Sequence, residues 1–298
     1  GISDLSAHII LSHLTDDAIH LTVKKIAMND KSGLQLKKLQ FKVDADHQQA
    51  TLSDFVIELP HSLLQLDNLH ATYHMEGKNL IMPSLQYEGG IKPSKVTLAD
   101  VASLAPALRK FDDALMLDLR FSGTSTSARI HRLNLKSRSG SILLKANGKA
   151  SDWDRNLRWN ANIEALKVSG DGIKQVAANL GKRINIPKEV LRLGDIYYIG
   201  KAYGMGKRLG TKGSLKTDAG NVNLDAEKNG DQLRAHIDTQ GINLGRILDN
   251  PKFGIFAATL DAKGNTKHLY AKGSIPRFDF NSYSYRNIKI DGSYNQGL

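Results

Sequence analysis

Residues 213–273 read GSLKTDAGNVNLDAEKNGDQLRAHIDTQGINLGRILDNPKFGIFAATLDAKGNTKHLYAKG, and within them apolar side chains recur at every second position. Leu215, Thr217 and Ala219 make one run, Val222, Leu224 and Ala226 the next, followed by Leu233, Ala235 and Ile237, by Ala258, Leu260 and Ala262, and by Leu269, Ala271 and Gly273. A spacing of two is the side-chain period of a β-strand, so each run puts its apolar residues on one face and its Lys, Asp, Asn and Gln residues on the other. Asp218-Ala219-Gly220-Asn221, Lys228-Asn229-Gly230-Asp231 and Lys263-Gly264-Asn265-Thr266 separate the runs with turn chemistry. The unit is a short, half-wet antiparallel strand followed by a hairpin.

The same period extends outward in both directions. Toward the N-terminus it predicts four strands before residue 46, the third on Leu34 and Leu36 and the fourth, slipped by one, on Leu39, Phe41, Val43 and Ala45. A strand closed by Pro60 follows, then runs at 63–66 and 69–75. Further strands are expected on Leu115, Leu117, Leu119 and Phe121, on Ile130–Leu135, on Ile142, Leu144 and Ala146, and on Leu157–Ile163. Three stretches break the rhythm. Leu98, Val101, Ala102, Leu104, Ala105, Leu108 and Phe111 recur at three and four, predicting a helix over 98–111. Shorter helices are predicted at 172–180 and 187–193, with one turn at most near 242–248.

Five apolar-x-apolar-x-Gly steps, ending at Gly123, Gly148, Gly264, Gly273 and Gly292, place a glycine where a sheet bends or another backbone comes close. Aromatics are only 6% of the 298 residues, too few to fill the centre of so large a barrel or sandwich. The predicted fold is therefore mainly β: an elongated, strongly curved antiparallel sheet forming an open groove, continuous over 1–298 and interrupted by helices near 98–114 and 170–194. Its apolar inner face is assigned to Leu34, Leu36, Leu117, Leu119, Leu144, Ala146, Leu215, Val222, Leu224, Leu233, Ile237, Leu260, Ala262, Leu269 and Ala271.

Little in the sequence points to chemistry. There is no Cys, which excludes thiolate metal sites and a Cys nucleophile. Gly200-x-x-x-Gly204-x-Gly206-Lys207-Arg208 fails as a phosphate loop, because five residues rather than four precede Gly206 and Arg208 stands where Ser or Thr is needed. His70 and His74 on one strand face lie roughly 13 Å apart, too far to share an ion. No catalytic residue, metal or cofactor is expected. The formal charge of +11 permits nucleic acid, phospholipid headgroups or lipopolysaccharide. Acidic residues scattered among the Lys and Arg predict a dispersed charge and no nucleic-acid partner. Gly1-Ile2-Ser3, without Met or a leader, predicts a piece of a longer polypeptide whose membrane anchor lies outside it.

Residues 9–20 (IILSHLTDDAIH), 31–39 (KSGLQLKKL) and 57–66 (IELPHSLLQL), with 241–248 (GINLGRIL) and 256–264 (FAATLDAKG), resemble the TamB-type translocation and assembly family. That resemblance implies an inner-membrane-anchored periplasmic protein of Gram-negative bacteria, akin to AsmA-like and bridge-type lipid-transfer proteins. It further implies a groove for phospholipid or another acyl-chain lipid, an outer-membrane barrel as partner, and a role in lipid transport or in assembly and secretion of outer-membrane proteins. A transmembrane barrel, a parallel β-helix acting on polysaccharide, and a scaffold whose trough is filled by its own helices are the competing expectations.

Overall fold

A computed structural model describes residues 2–15, 17–30, 33–101, 113–180, 187–265 and 267–295. The chain opens with β1 (Ile2–Leu14), β2 (Ala18–Asp30), β3 (Gln35–Asp46) and β4 (Gln49–Glu58), then the short β5 (Leu63–Gln65) and β6 (Leu69–Thr72). A two-residue hairpin, β7 (Met75–Glu76) with β8 (Asn79–Leu80), stands apart from the main sheet. Next come β9 (Gln86–Thr97), β10 (Ala114–Thr124), β11 (Ser127–Ser137), β12 (Ile142–Ser151) and β13 (Arg158–Val168). After α1 (Gly170–Leu180) and α2 (Lys188–Leu191) follow β14 (Ile196–Met205), β15 (Arg208–Thr217), β16 (Gly220–Asn229) and β17 (Gln232–Asn243). Then α3 (Leu244–Leu248) leads to β18 (Phe253–Gly264), β19 (His268–Phe280) and β20 (Tyr283–Asn295).

Eighteen of these strands form one curved sheet. Every pairing is antiparallel, and all except β4–β6, β5–β9 and β6–β9 join neighbours in the chain; β5 and β6 both lie between β4 and β9, so the meander is seventeen strands wide. Two-residue hairpins keep it tight. Gly206 (φ 57°) and Gly230 (φ 61°) take the left-handed conformation that a right-twisted hairpin needs. All pairings being antiparallel argues against a parallel β-helix. Among the described residues β1 pairs only with β2 and β20 only with β19, so the sheet is not closed as a barrel is.

No second layer covers the described sheet. The accessible surface is 18597 Å², whereas a compact monomer of this mass exposes about 12,400 Å². Among the described residues nine apolar side chains are buried, and five of those are alanine. The fold is held mainly by its backbone ladders and by cross-strand side-chain pairs, each strand resting on its two neighbours.

Three expectations need correction. Three strands, not four, precede residue 46: the slip between Leu36 and Leu39 is an irregularity inside β3, where Leu36 faces Met28 and Leu39 faces Ile26. A bulge absorbs the odd residue without ending the strand. The helix predicted over 98–111 appears as a single 3₁₀ turn, Leu98–Val101, and its remainder lies outside the described residues. The helix predicted at 187–193 is one turn, Lys188–Leu191, and the chain turns out of it through Gly194, whose φ of 76° is left-handed, before β14 begins at Ile196.

Candidate functional site

Residues directly opposite one another on neighbouring strands share a face, so the register traces that face across the sheet. Leu224, Ile237 and Leu260 stand in one row that ends at Gly273 and Ile290. Beside it run Ala226, Ala235, Ala262 and Ala271. Leu215 faces Val222, while Leu233 and Leu269 flank Gly264. In the middle of the sheet Leu117, Leu135 and Leu144 form one row, and Leu119, Leu133 and Ala146 another. With Leu36 opposite Met28, fourteen of the fifteen residues assigned to the inner face lie on the same side. Leu34 precedes β3 and lies outside any strand.

Along the regular runs this side is the less exposed of the two, with no second layer over it among the described residues: in β16 Val222, Leu224 and Ala226 are half-buried between exposed Asn221, Asn223 and Asp225. Side chains crowd together on the inside of a bend and splay on the outside, which matches an apolar inner face. The surface remains open. Leu209 and Leu233 keep 48% and 40% of their exposure.

The helices sit at one end of the strands. Asn243 caps α3 by accepting a hydrogen bond from the Arg246 N–H (3.0 Å). The Arg246 guanidinium reaches Asp218 (3.1 Å) and donates to the Arg192 carbonyl (3.0 Å), while Arg192 pairs with Asp249 (2.9 Å). These bonds tie α2 and α3 to the β15–β16 turn.

The aromatic contribution was missed. Phe253, Phe256, Phe278, Phe280 and Tyr285 gather on the apolar face near this end, with Phe253 and Phe280 ring centres 5.0 Å apart and Phe256 and Phe278 6.0 Å apart. The period-two pattern of Phe278-x-Phe280 and Tyr283-x-Tyr285 carried that information. The glycine steps behave as expected at Gly148, Gly264 and Gly273, where a Cβ would strike a neighbouring backbone oxygen. At Gly123 the Ser127 backbone oxygen and the Tyr87 ring both occupy the space, while among the described residues nothing lies near Gly292.

The polar clusters are structural. Asp100 accepts from the Ser62 hydroxyl (2.6 Å) and pairs with His61 Nδ1 (2.9 Å). Burial pushes the Asp100 carboxyl up, but those bonds outweigh it and hold it below the usual range. Ser62 bonds the carboxylate rather than the imidazole, so no Ser–His–Asp relay is formed. Asp113 is likewise raised by burial and lowered, with a net downward shift, by Ser139. Gly200–Arg208 is the β14–β15 hairpin, whose outward Arg208 pairs with Glu227 (2.6 Å). His70 lies on β6 near Thr51 (3.2 Å), while His74 falls outside the strand.

The charge is not dispersed, contrary to the sequence reading. Outward-facing cations number three on β11 (Arg129, Arg132, Lys136), two on β12 (Lys145, Lys149) and two on β13 (Arg158, Lys167). Lys201 on β14 and Arg208, Lys212 and Lys216 on β15 bring the total to eleven, against one carboxylate, Glu164. The remaining strands nearly balance. β16–β20 carry seven cations and six carboxylates.

No protein-family model, curated protein or solved structure matches the chain.

Proposed function

We propose that this chain is a non-enzymatic, lipid-carrying segment of a cell-envelope protein, whose apolar face shields the acyl chains of phospholipid passing between the inner and outer membranes through the periplasm. The resemblance to the TamB-type family supplies that setting, with the inner-membrane anchor and the contact with an outer-membrane barrel assigned to other parts of a longer polypeptide. One observation carries the reading: an apolar face seventeen strands wide, with no second layer over it among the described residues. Each methylene laid on such a surface gains roughly 0.8 kcal/mol. A carrier needs a continuous strip of that kind and no reactive centre.

The test is site-specific photocrosslinking in membranes. Probes at Leu224 and Leu260 should label lipid, and probes at their outward neighbours Asp225 and Asp261 should not; the reverse pattern would contradict the proposal.

A second reading rests on the edge. Along β1, Leu5, Ile9 and Leu11 are 63%, 52% and 52% exposed, and a free edge of that kind accepts an added strand. Assistance to outer-membrane protein assembly would use this edge. Crosslinks from β1 to polypeptide, with none to lipid from Leu224 or Leu260, would favour it.

A further inference from the structure

The outer face of β11–β15 concentrates positive charge, eleven cations against one carboxylate, which the strands on either side nearly balance. On β15–β20 one outward row alternates basic with acidic side chains: Lys212, Asp225, His236, Asp261, Lys272 and Asp291 stand directly opposite one another in turn. Lys212 reaches Asp225 at 2.9 Å and His236 reaches Asp261 at 2.8 Å. Like charges also face each other, in β17–β20 at Arg234 opposite Lys263 and Arg277 opposite Arg286, and again in and beside the cationic strands. Arg120 lies opposite Arg132, Arg129 opposite Lys149, and Lys201 opposite Lys212. Directly opposed like charges destabilise a sheet. Arg132 and Lys212 also reach carboxylates, Asp118 at 3.0 Å and Asp225 at 2.9 Å, whereas Arg129 opposite Lys149 belongs to a net excess of ten in-strand charges on β11–β15, the kind of surface that an anionic layer would meet.

The patch is broad. Five strands set about 4.8 Å apart span roughly 19 Å, and strands of ten residues run roughly 33 Å. Apolar side chains stand out from the same face, with Met116 42% and Ile199 45% exposed. Cations interleaved with protruding apolar groups suit the headgroup layer of a bilayer, where the cations meet phosphate and the apolar tips enter between lipids. Single-stranded nucleic acid needs free aromatic faces for stacking. Tyr203 on this face lies over Gly210 and donates its hydroxyl to Glu227 (2.7 Å), which leaves Tyr197, half-buried between Lys167 and Lys216, as a single stacking surface rather than a series.

We infer that the convex face of β11–β15 docks on an anionic phospholipid membrane, holding the sheet at a bilayer independently of whether the opposite face carries lipid. The experiment is flotation of the chain with phosphatidylcholine vesicles, with and without phosphatidylglycerol, at low and at physiological salt. Binding is expected only with phosphatidylglycerol, weakening as salt rises. Combined Lys145→Glu, Lys149→Glu and Lys201→Glu should lower partition about a hundredfold. The milder Lys→Gln set should also lower it and serves if the Glu set fails to fold. Lys228→Glu with Lys289→Glu, outside the patch, should leave binding unchanged. Equal binding to both vesicle types, or equal loss in both sets of variants, overturns the inference. So does tighter binding to a single-stranded oligonucleotide than to the vesicles, abolished by the same three substitutions. A groove variant such as Leu260→Asp should still float, which separates failure of this inference from failure of the lipid-carrying proposal.

Discussion

Leu260→Asp places a charge in the middle of the apolar face. Leu260 faces Ile237 on β17 and Gly273 on β19, and it leans over the glycine: a Cβ at 273 would lie 3.0 Å from Leu260 Cδ2. In the lipid-free chain the position is half-buried and open to water, so the carboxylate stays solvated. The loss is about half the transfer energy of a leucine, ~1 kcal/mol, well below the 2–5 kcal/mol of a core Leu→Ala change. With an acyl chain laid across β16–β20 the same carboxylate drives water into the contact. Losing two or three methylene contacts costs about 2 kcal/mol, or roughly thirtyfold in affinity. Titration with a fluorescent phospholipid and mass spectrometry of co-purifying lipid measure the second effect, and urea denaturation measures the first. The matched control is Ser274→Asp on the outward face of β19, opposite Lys289, which should bind as the parent does. Unchanged affinity in Leu260→Asp, or an equal fall in Ser274→Asp, would refute the assignment of the inner face.

Gly204 faces Trp159, whose indole, with Leu209 Cδ2, fills the space a side chain at 204 would take. Gly204→Val should destabilise by about 1–3 kcal/mol, with much of that recovered in a Trp159→Ala background; a double-mutant cycle in urea reads the coupling, and simple additivity would show that the ring does not fill the gap. The Asp279 carboxyl is held down at about 2, first by the Arg277 guanidinium and then by the Ser284 hydroxyl. Because the folded value lies below the unfolded one of about 3.9, its contribution is complete above the unfolded value and is lost as pH falls through about 2. Asp279→Asn should therefore lower Tm at neutral pH, with the difference closing between about pH 4 and 2; a difference that persists at low pH would assign the effect to packing.

Fold class was legible because the meander makes neighbours in sequence neighbours in space. Alternation in Val222-x-Leu224-x-Ala226 and Leu233-x-Ala235-x-Ile237 is enough to orient β16 and β17 without knowledge of any distant contact. The irregular points were not legible. Ile163 and Leu166 are three apart, a spacing that suits a helix, yet both face inward because β13 carries an extra residue opposite β14. Asp54, at φ 54°, marks a similar shift in β4. The basic patch was hidden by averaging. Averaged over 298 residues a charge of +11 is dilute, but counted strand by strand β11–β15 alone carry eleven cations against one carboxylate. The aromatic cluster was overlooked because a low total says nothing about where the few rings gather.

An open single-layer sheet places unusual weight on those irregularities. In a protein with a core, a strand that slipped by one residue would bury polar groups and be rejected strongly. Here both faces of the described sheet meet solvent, so a slip costs mainly the mismatch of apolar with apolar and of charge with charge across each seam, tenths of a kcal/mol to about 1 kcal/mol per pair. The bulges at Leu36–Leu39, at Asp54 and at Ile163–Leu166 each restore the inward row after the sequence has drifted by one. They keep one apolar strip continuous along the whole ribbon. Cross-strand pairing alone requires only local matching, seam by seam. A passage for lipid requires that no strand in the series turn its polar side inward, and it is that stronger condition which the bulges satisfy.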